Sequence, residues 1–145
     1  RVEQLAAAEG EQLLGEMRGA LGRLSDLLAV ATHVKQHGGR VRVNTDGLAN
    51  LVHKRNVLPE MAGCVDALSV SMNAQNAALY QRHCDPALPG SFAAMQAFLR
   101  QAPDYIDEVT ATAIDGLAGV DVAACEQLAA RLGVGFRRRE LDVVG

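Results

Sequence analysis

The chain has 145 residues, of which 49% are hydrophobic and 21% charged, and a formal net charge of −3 at pH 7. A chain of this length can bury most of its apolar surface around one core, so we expect a single domain over residues 1–145. The negative net charge argues against a general nucleic-acid binder, which would usually carry a basic excess.

The two most apolar helical stretches are residues 5–14 and 24–34. Acidic, basic or histidine residues interrupt both stretches well short of the ~20 apolar residues that a membrane helix needs. We therefore predict no membrane helix and no membrane partner. The chain starts with Arg1 rather than Met, so we expect a fragment or a processed chain. No signal peptide can be read from it, and the cytoplasm is the default expectation for its location.

The three cysteines, Cys64, Cys84 and Cys125, are far apart and odd in number. This pattern favours reduced, partly buried thiols over a disulfide framework. The chain has neither a Cys-x-x-Cys nor a Cys-x-x-x-Cys-x-x-Cys motif, so no local iron–sulfur or zinc site is predicted. His33 and His37 are four residues apart, but they lie at a polar helix end, which favours a solvated terminus over zinc.

In chain order, residues 2–20 are predicted to form a helix, with several leucines and Met17 on one side. A second helix is predicted from Ser25, as its N-cap, to about Gln36. The first strand follows in Arg40-Val41-Arg42-Val43-Asn44-Thr45, where polar and apolar residues alternate up to Gly47. No strand is predicted before it.

Three further segments alternate in the same way and are separated by helical sequence: residues 68–74, 108–112 and 136–140. After the first of these, Asn73 or Gln75 is predicted to open a helix. Asp121 is predicted to cap the last helix, which is expected to end at Gly133.

Strands that are joined by helices must be parallel. Parallel strands that are buried on both faces normally read as near-continuous Val, Ile and Leu, whereas these strands alternate. One face of the sheet is therefore expected to be apolar and packed under helices, and the other to be polar and to line a cavity. The predicted fold is α/β, a partial (β/α) barrel with parallel strands, preceded by one or two N-terminal helices.

Ligands in such folds lie at the carboxyl ends of the strands. The residues predicted at these ends are Asn44, Thr45, Asp46, Ser71, Asn73, Asp115, Arg139 and Glu140. They are hydrogen-bonding in character. No Ser-His-Asp spacing, paired carboxylates or phosphate-cradling glycine loop accompanies them, so no catalytic residue is assigned.

Each candidate also has a structural interpretation. The residues from Asn44 to Gly47 make a good turn, because Asn and Asp bond to the backbone and Gly allows a positive φ. Ser71 and Asn73 would serve equally well as caps of the following helix. The arginines at residues 137–139 suit either a phosphate or carboxylate clamp or an exposed strand near the chain end.

Several blocks of sequence resemble the radical S-adenosylmethionine (SAM) superfamily, and within it the TatD family-associated radical SAM proteins. The blocks are VRVNTDGLANL at residues 41–51, VDALSVSMNA at 65–74, YQRHCDP at 80–86, GVDVAAC at 119–125 and LGVGFR at 132–137. They occur in the same order and spacing as in that family, and the similarity extends over residues 24–145.

The resemblance implies a partial barrel that cleaves SAM at a four-iron four-sulfur cluster to form a 5′-deoxyadenosyl radical. By that match, Asn44 and Thr45 would lie near the cofactor, and Ser71 and Asn73 near its ribose or its methionine end. The cluster motif of the family is absent from this chain, so the ligands of the cluster are not found here. Whether this chain is itself an enzyme is left open.

Three hypotheses follow from the sequence. The chain is the carboxyl-terminal part of a radical SAM enzyme with an unidentified small-molecule substrate, or it is a degenerate non-catalytic domain that binds a partner or a nucleotide. Alternatively, it is an unrelated α/β enzyme that uses Arg137 or Arg139 as a clamp for a phosphorylated substrate. A half barrel without its first strands would expose a sheet edge, so self-association or a partner at that edge is also expected.

Overall fold

A computed structural model describes residues 24–141 in full and residues 2–8 and 14–18 by their backbone. The strands are β1 (Val2–Ala8), β2 (Leu14–Arg18), β3 (Arg40–Thr45), β4 (Ala67–Ser71), β5 (Glu108–Asp115) and β6 (Gly135–Glu140). The helices are α1 (Leu24–Gln36), α2 (Ala49–His53), α3 (Leu58–Met61), α4 (Ala77–Cys84), α5 (Ser91–Gln101) and α6 (Val122–Leu132), and a 3₁₀ turn covers Ala102–Asp104. None of the helices in these ranges has the length and apolar character that a membrane crossing requires.

The described strands form one sheet in the order β2-β1-β3-β4-β5-β6. Strands β3 to β6 are mutually parallel, and in their register Asn44 lies beside Ser69 and Ser69 beside Thr110. The sheet does not close on itself, so β3 to β6 and their helices form a half barrel. The predicted α/β partial barrel of parallel strands is confirmed, and α1 is the helix that precedes its first parallel strand.

One face of the half barrel is apolar. Val43 on β3, Val70 on β4 and Ala111 on β5 are fully buried in a single hydrophobic cluster. The helices complete this cluster, with Leu27 of α1 and Phe98 of α5 among its members. The residues that alternate with them point to the opposite face, which is polar, as the period of two predicts.

The predicted helix over residues 2–20 is wrong. Residues 9–13 and 19–20 lie outside the described residues, and the rest form the antiparallel strands β1 and β2. Strand β1 also pairs antiparallel with β3, so that Gln4 lies beside Asn44 and Ala8 beside Arg40. Helix propensity is a weak preference that a neighbouring strand edge can override. The edge of β3 that was expected to be open is therefore covered by this chain's own β1.

Two of the predicted helix ends are confirmed and one is corrected. The Asp121 side chain accepts a hydrogen bond from the Ala124 N–H at 3.2 Å, and Gly133 ends α6 with φ 83°. Helix α4 is capped by neither Asn73 nor Gln75. Its N-cap is Asn76, whose side chain accepts from the Leu79 N–H at 2.9 Å.

Candidate functional site

The polar face of the half barrel forms one wall of a cavity of about 870 Å³. This volume lies in the range of small-molecule sites. The opposite wall comes from the end of α4 and the segment that follows it. The residues that line the cavity are Arg42, Asn44, Thr45, Asp46, Leu48, Ser69, Ser71, Asn73, Tyr80, His83, Cys84, Asp85, Pro86, Ala87, Thr112, Arg137 and Arg139.

All four residues that the sequence predicted to contact a cofactor line this cavity: Asn44, Thr45, Ser71 and Asn73. Asn44 belongs to β3, and Thr45 is the last residue of that strand. Ser71 ends β4, and Asn73 follows two residues later. The structure therefore brings the four residues together at the carboxyl ends of two adjacent parallel strands, where ligands bind in such sheets.

Thr45 and Asp46 also build the turn that leaves β3. The Gly47 N–H donates to Thr45 Oγ1 at 3.1 Å, and the Leu48 N–H donates to Asp46 Oδ1 at 3.1 Å. Gly47 has φ 76°, and a Cβ atom there would lie 2.8 Å from Val70 Cγ1. The structural interpretation of these residues as a turn is thus confirmed. Thr45 is 5% exposed and shapes the cavity at the same time.

Ser71 and Asn73 have no capping role, because Asn76 caps α4. The backbone N–H groups of Met72 and Asn73 donate to the Thr112 carbonyl at 2.9 and 3.2 Å, which fixes the end of β4 against β5. Asn73 has φ 66°, a left-handed conformation that Asn adopts more readily than most residues. Its Nδ2 atom lies 3.8 Å from Cys84 Sγ. The two polar side chains are therefore presented to the cavity by a fixed backbone.

Hydrogen bonds join helix α4 and the segment before it to the loop after β5. His83 Nε2 lies 2.7 Å from the Ala118 carbonyl oxygen, and Gln75 donates to the Gly119 carbonyl at 3.1 Å.

Cys84, at the end of α4, is half-buried. Burial raises the pKa of its thiol, and the Asp46 carboxylate raises it further, although the hydrogen bond from Asn73 opposes both effects. The thiol is therefore protonated at neutral pH.

Strand β6 brings two of its three arginines to the cavity. Arg137 and Arg139 line it, whereas Arg138 lies on the opposite face. There Arg138 Nη1 lies 3.5 Å from Asp115 Oδ2, and its Nη2 lies 2.9 Å from Glu140 Oε1. Asp115 and Glu140 were predicted at the strand ends of the site. They are not brought to the cavity, because the alternation of β5 and β6 turns them to the other face.

The sequence interpretation also missed cavity residues. Ser69, Thr112 and Arg42 follow the same alternation as Asn44 and Ser71, so extending the period of two along each strand would have found them. Tyr80 lies on a helix, where no local pattern distinguishes a cavity residue from a core residue. Its position depends on how α4 packs across the sheet.

The residues of this chain do not fit a four-iron four-sulfur cluster, which cysteine thiolates hold. All three cysteines are described: Cys64 and Cys125 are buried in the hydrophobic cluster, whereas Cys84 packs against that cluster and lines the cavity. Burial raises the pKa of the Cys125 thiol to about 11. Within the described ranges, no three His, Cys, Asp or Glu side chains are grouped so as to hold a metal ion.

A small molecule with several hydrogen-bonding groups fits the cavity better. The β3 and β4 side of the wall offers the amides of Asn44 and Asn73 and the hydroxyl of Ser71. Amides and hydroxyls both donate and accept hydrogen bonds, as recognition of a ribose or an adenine requires. This donor set suits a small polar molecule.

No protein-family model matches this chain, and no curated protein matches it. Among solved structures, the chain is similar to TYW1, a radical SAM enzyme, described as having a lysine-pyruvate adduct bound. The two share 15% sequence identity with a TM-score of 0.62, and the match covers 85% of this chain. It spans 38% of the TYW1 chain. At this identity the similarity concerns the fold alone, which in this chain is an α/β half barrel.

Proposed function

We propose that this half barrel binds SAM, or a closely related nucleoside, in the cavity on its polar face. The observation that carries the proposal is the position of Ser71 and Asn73. Both line the cavity at the carboxyl end of a central strand, and neither is used to cap α4. The fold of a radical SAM enzyme gives independent support.

We further propose that the chain is the carboxyl-terminal portion of a radical SAM protein, related to those described as TatD family-associated. The finer relationship depends on the sequence blocks at residues 41–51 and 65–74, which contain the candidate site residues. In the superfamily, bound SAM supplies a 5′-deoxyadenosyl group for radical chemistry. That chemistry needs a cluster that these residues do not hold, so the contribution of this chain is to bind and orient the nucleoside.

This proposal gives each candidate residue a role. Ser71 and Asn73 hydrogen-bond the ribose or the methionine end, and Asn44 contacts the adenosyl group from the neighbouring strand. Thr45 fixes the β3 turn through its bond from the Gly47 N–H and so keeps the wall in place. Leu48 and Tyr80 also line the cavity, but they are 2% and 3% exposed and belong to the wall that supports these residues.

The absence of a thiolate set favours one alternative. A non-catalytic α/β domain would keep the nucleoside site, or an interaction surface, without any radical chemistry. This alternative shares the binding step with the main proposal and differs in activity. A Cys-x-x-x-Cys-x-x-Cys motif in sequence encoded upstream of Arg1 would separate the two, because it would supply the cluster ligands and contradict the non-catalytic domain.

The binding step is tested by isothermal calorimetry with SAM. We expect saturable binding to the unaltered chain, and a loss of about 1 to 2 kcal/mol of binding free energy for each of Ser71→Ala and Asn73→Ala if each hydrogen bond is made. Gln127→Ala removes an exposed polar side chain of α6 and is the matched control. Equal SAM affinity in the Ser71→Ala, Asn73→Ala double variant and in the control would remove these residues from the site.

A further inference from the structure

Three consecutive arginines on β6 have different surroundings. The guanidinium of Arg138 forms ion pairs with two carboxylates, at 3.5 Å to that of Asp115 and 2.9 Å to that of Glu140. Arg137 and Arg139, here called the arginine pair, line the cavity. In the described part of the chain, neither member of the pair has a carboxylate at ion-pair distance. The arginines that could meet a ligand are therefore those whose charge the described residues leave uncompensated.

The arginine pair lies at the far side of the cavity from the proposed nucleoside residues. In the sheet register Ser71 on β4 lies beside Thr112 on β5, and Thr112 lies beside Arg137 on β6. Neighbouring strands are about 4.8 Å apart, so the backbone of Arg137 is about 10 Å from that of Ser71. A nucleoside at β3 and β4 therefore leaves room at β6 for a second group.

The two sides of the cavity also differ in charge. Apart from Arg42 in the first half of β3, the β3 and β4 side chains that line the cavity are neutral amides and hydroxyls, and the cavity carboxylates Asp46 and Asp85 follow β3 and α4. The β6 side carries two guanidinium groups, which bind carboxylates and phosphates through paired N–H donors. Charge and chemistry therefore favour an anion on the β6 side.

We infer that the arginine pair binds the anionic group, a carboxylate or a phosphate, of a small substrate held beside the nucleoside. The inference rests on the proposed function for the nucleoside half of the cavity, and it names the substrate class for the other half. Thr112 is 1% exposed and separates Ser71 from Arg137 in the register, so it forms the floor between the two subsites. The substrate is an anion that is small enough to share the cavity of about 870 Å³ with a nucleoside.

The test is an NMR titration that follows the Nε–Hε signals of the arginines in the ¹⁵N-labelled chain. Sodium phosphate and sodium succinate are the probes, and sodium chloride at equal ionic strength is the reference. We expect saturable shifts at Arg137 and Arg139 with at least one probe. Saturation by phosphate indicates a phosphoryl group, by succinate a carboxylate, and by both an anion site that accepts either. Shifts that follow ionic strength alone, equally at all three arginines, would overturn the inference.

Variants sharpen the test. Arg137→Gln and Arg139→Gln together should weaken anion binding by about tenfold to a hundredfold, since hydrogen bonds between charged groups are the strong ones. Arg138→Gln removes the same charge from the same strand on the opposite face, and it should leave binding within about twofold. Thermal melts establish that each variant is folded. Equal loss in the double variant and in Arg138→Gln would contradict the assignment.

The same samples distinguish this inference from the proposed function. SAM and 5′-methylthioadenosine, which lacks the carboxylate of SAM, are titrated with and without the anion. Anion binding that persists at saturating SAM supports two separate subsites. Anion binding that SAM abolishes and 5′-methylthioadenosine does not would assign the arginine pair to the carboxylate of SAM itself and overturn the inference. Anion binding with no response to either nucleoside would contradict the proposed function and the shared cavity, and leave an isolated anion site.

Discussion

Asn73 and Cys84 meet across the candidate site, with the Asn73 Nδ2 atom 3.8 Å from the Cys84 Sγ atom. The contact joins the segment after β4 to the last turn of α4, and both residues line the cavity. A ligand that contacts Asn73 therefore lies beside a thiol. Since the other two cysteines are buried in the core, this thiol can report on occupancy of the cavity.

We predict that Cys84 is the fastest of the three cysteines to react with iodoacetamide and that SAM protects it. Burial raises the pKa of its thiol, so less thiolate is present at pH 7 than in a free cysteine, and the rate should rise steeply as the pH increases. Peptide mass mapping gives the rate at each cysteine. Cys125, with its pKa raised to about 11, should react slowest without added denaturant. An unchanged Cys84 rate at saturating SAM would argue against a ligand beside Asn73.

Variants at Asn76 and Ser71 should separate effects on folding stability from effects on SAM binding. Asn76→Ala removes the N-cap of α4 and should lower the free energy of unfolding by about 1 kcal/mol, with little change in SAM affinity. Ser71→Ala should do the reverse, because Ser71 lines the cavity and caps no helix. Urea denaturation and calorimetry measure the two effects. A loss of stability from Ser71→Ala without a loss of affinity would show that Ser71 has a structural role instead.

We predict that Gly47, in the turn after β3, does not tolerate a side chain. Gly47→Ala combines a left-handed φ of 76° with a Cβ position 2.8 Å from Val70 Cγ1. Together these should cost about 2 to 5 kcal/mol, from backbone strain and overpacking. Gly38→Ala is the matched control, since Gly38 has φ 80° but no atom within 4 Å of the added Cβ. Its cost should be the backbone strain alone. Equal costs in urea denaturation would contradict the packing of the turn against β4.

We predict that Asp66 stabilises the fold through the start of β3. Burial by itself would raise the pKa of its carboxyl, but the bonds from the Val41 N–H at 2.7 Å and from Lys35 at 2.9 Å lower it overall. Asp66→Ala leaves that N–H without its acceptor and should cost about 1 to 3 kcal/mol. Lys35→Gln, which breaks a partly exposed ion pair, should cost no more than about 1 kcal/mol.

The pH dependence of Asp66 follows from the lowered pKa. A carboxyl with a lower pKa in the folded chain stabilises the fold above its ordinary pKa, and this contribution is lost as the pH falls through the lowered value. The stability difference between the unaltered chain and Asp66→Asn should therefore be constant near neutral pH and shrink below about pH 4. A difference that grows on acidification would contradict the assigned direction.

The parallel half of the fold could be predicted from sequence because its signal is local. Each of β3 to β6 alternates over a few residues, so Val43 and Asn44 can be assigned to opposite faces without knowing their neighbours. The same logic placed Ser71 and Asn73 on the cavity wall. The Thr45 turn was also local, since its hydrogen bonds span two residues.

The remaining features depend on partners that are distant in sequence. The segment Val2–Ala8 contains three alanines and reads as a helix, yet it pairs with residues of β3 that lie 32 to 40 positions further along the chain. Arg138 and Arg137 look alike in sequence, and only the positions of Asp115 and Glu140 show which guanidinium is occupied. The closure of α4 over the sheet is likewise a property of packing, which no short pattern encodes.

The most direct test of the account is chemical-shift mapping of SAM on the ¹⁵N-labelled chain, because it shows both whether the nucleoside binds and where. We predict saturable shifts centred on the backbone amides from Ser71 to Asn73 and at Asn44, with smaller changes at Thr112 on the neighbouring strand and at Cys84 beside Asn73. The amides of the outer helices α1 and α6 should not change. The absence of saturable shifts, or shifts confined to those outer helices, would contradict a nucleoside site on the polar face of the half barrel.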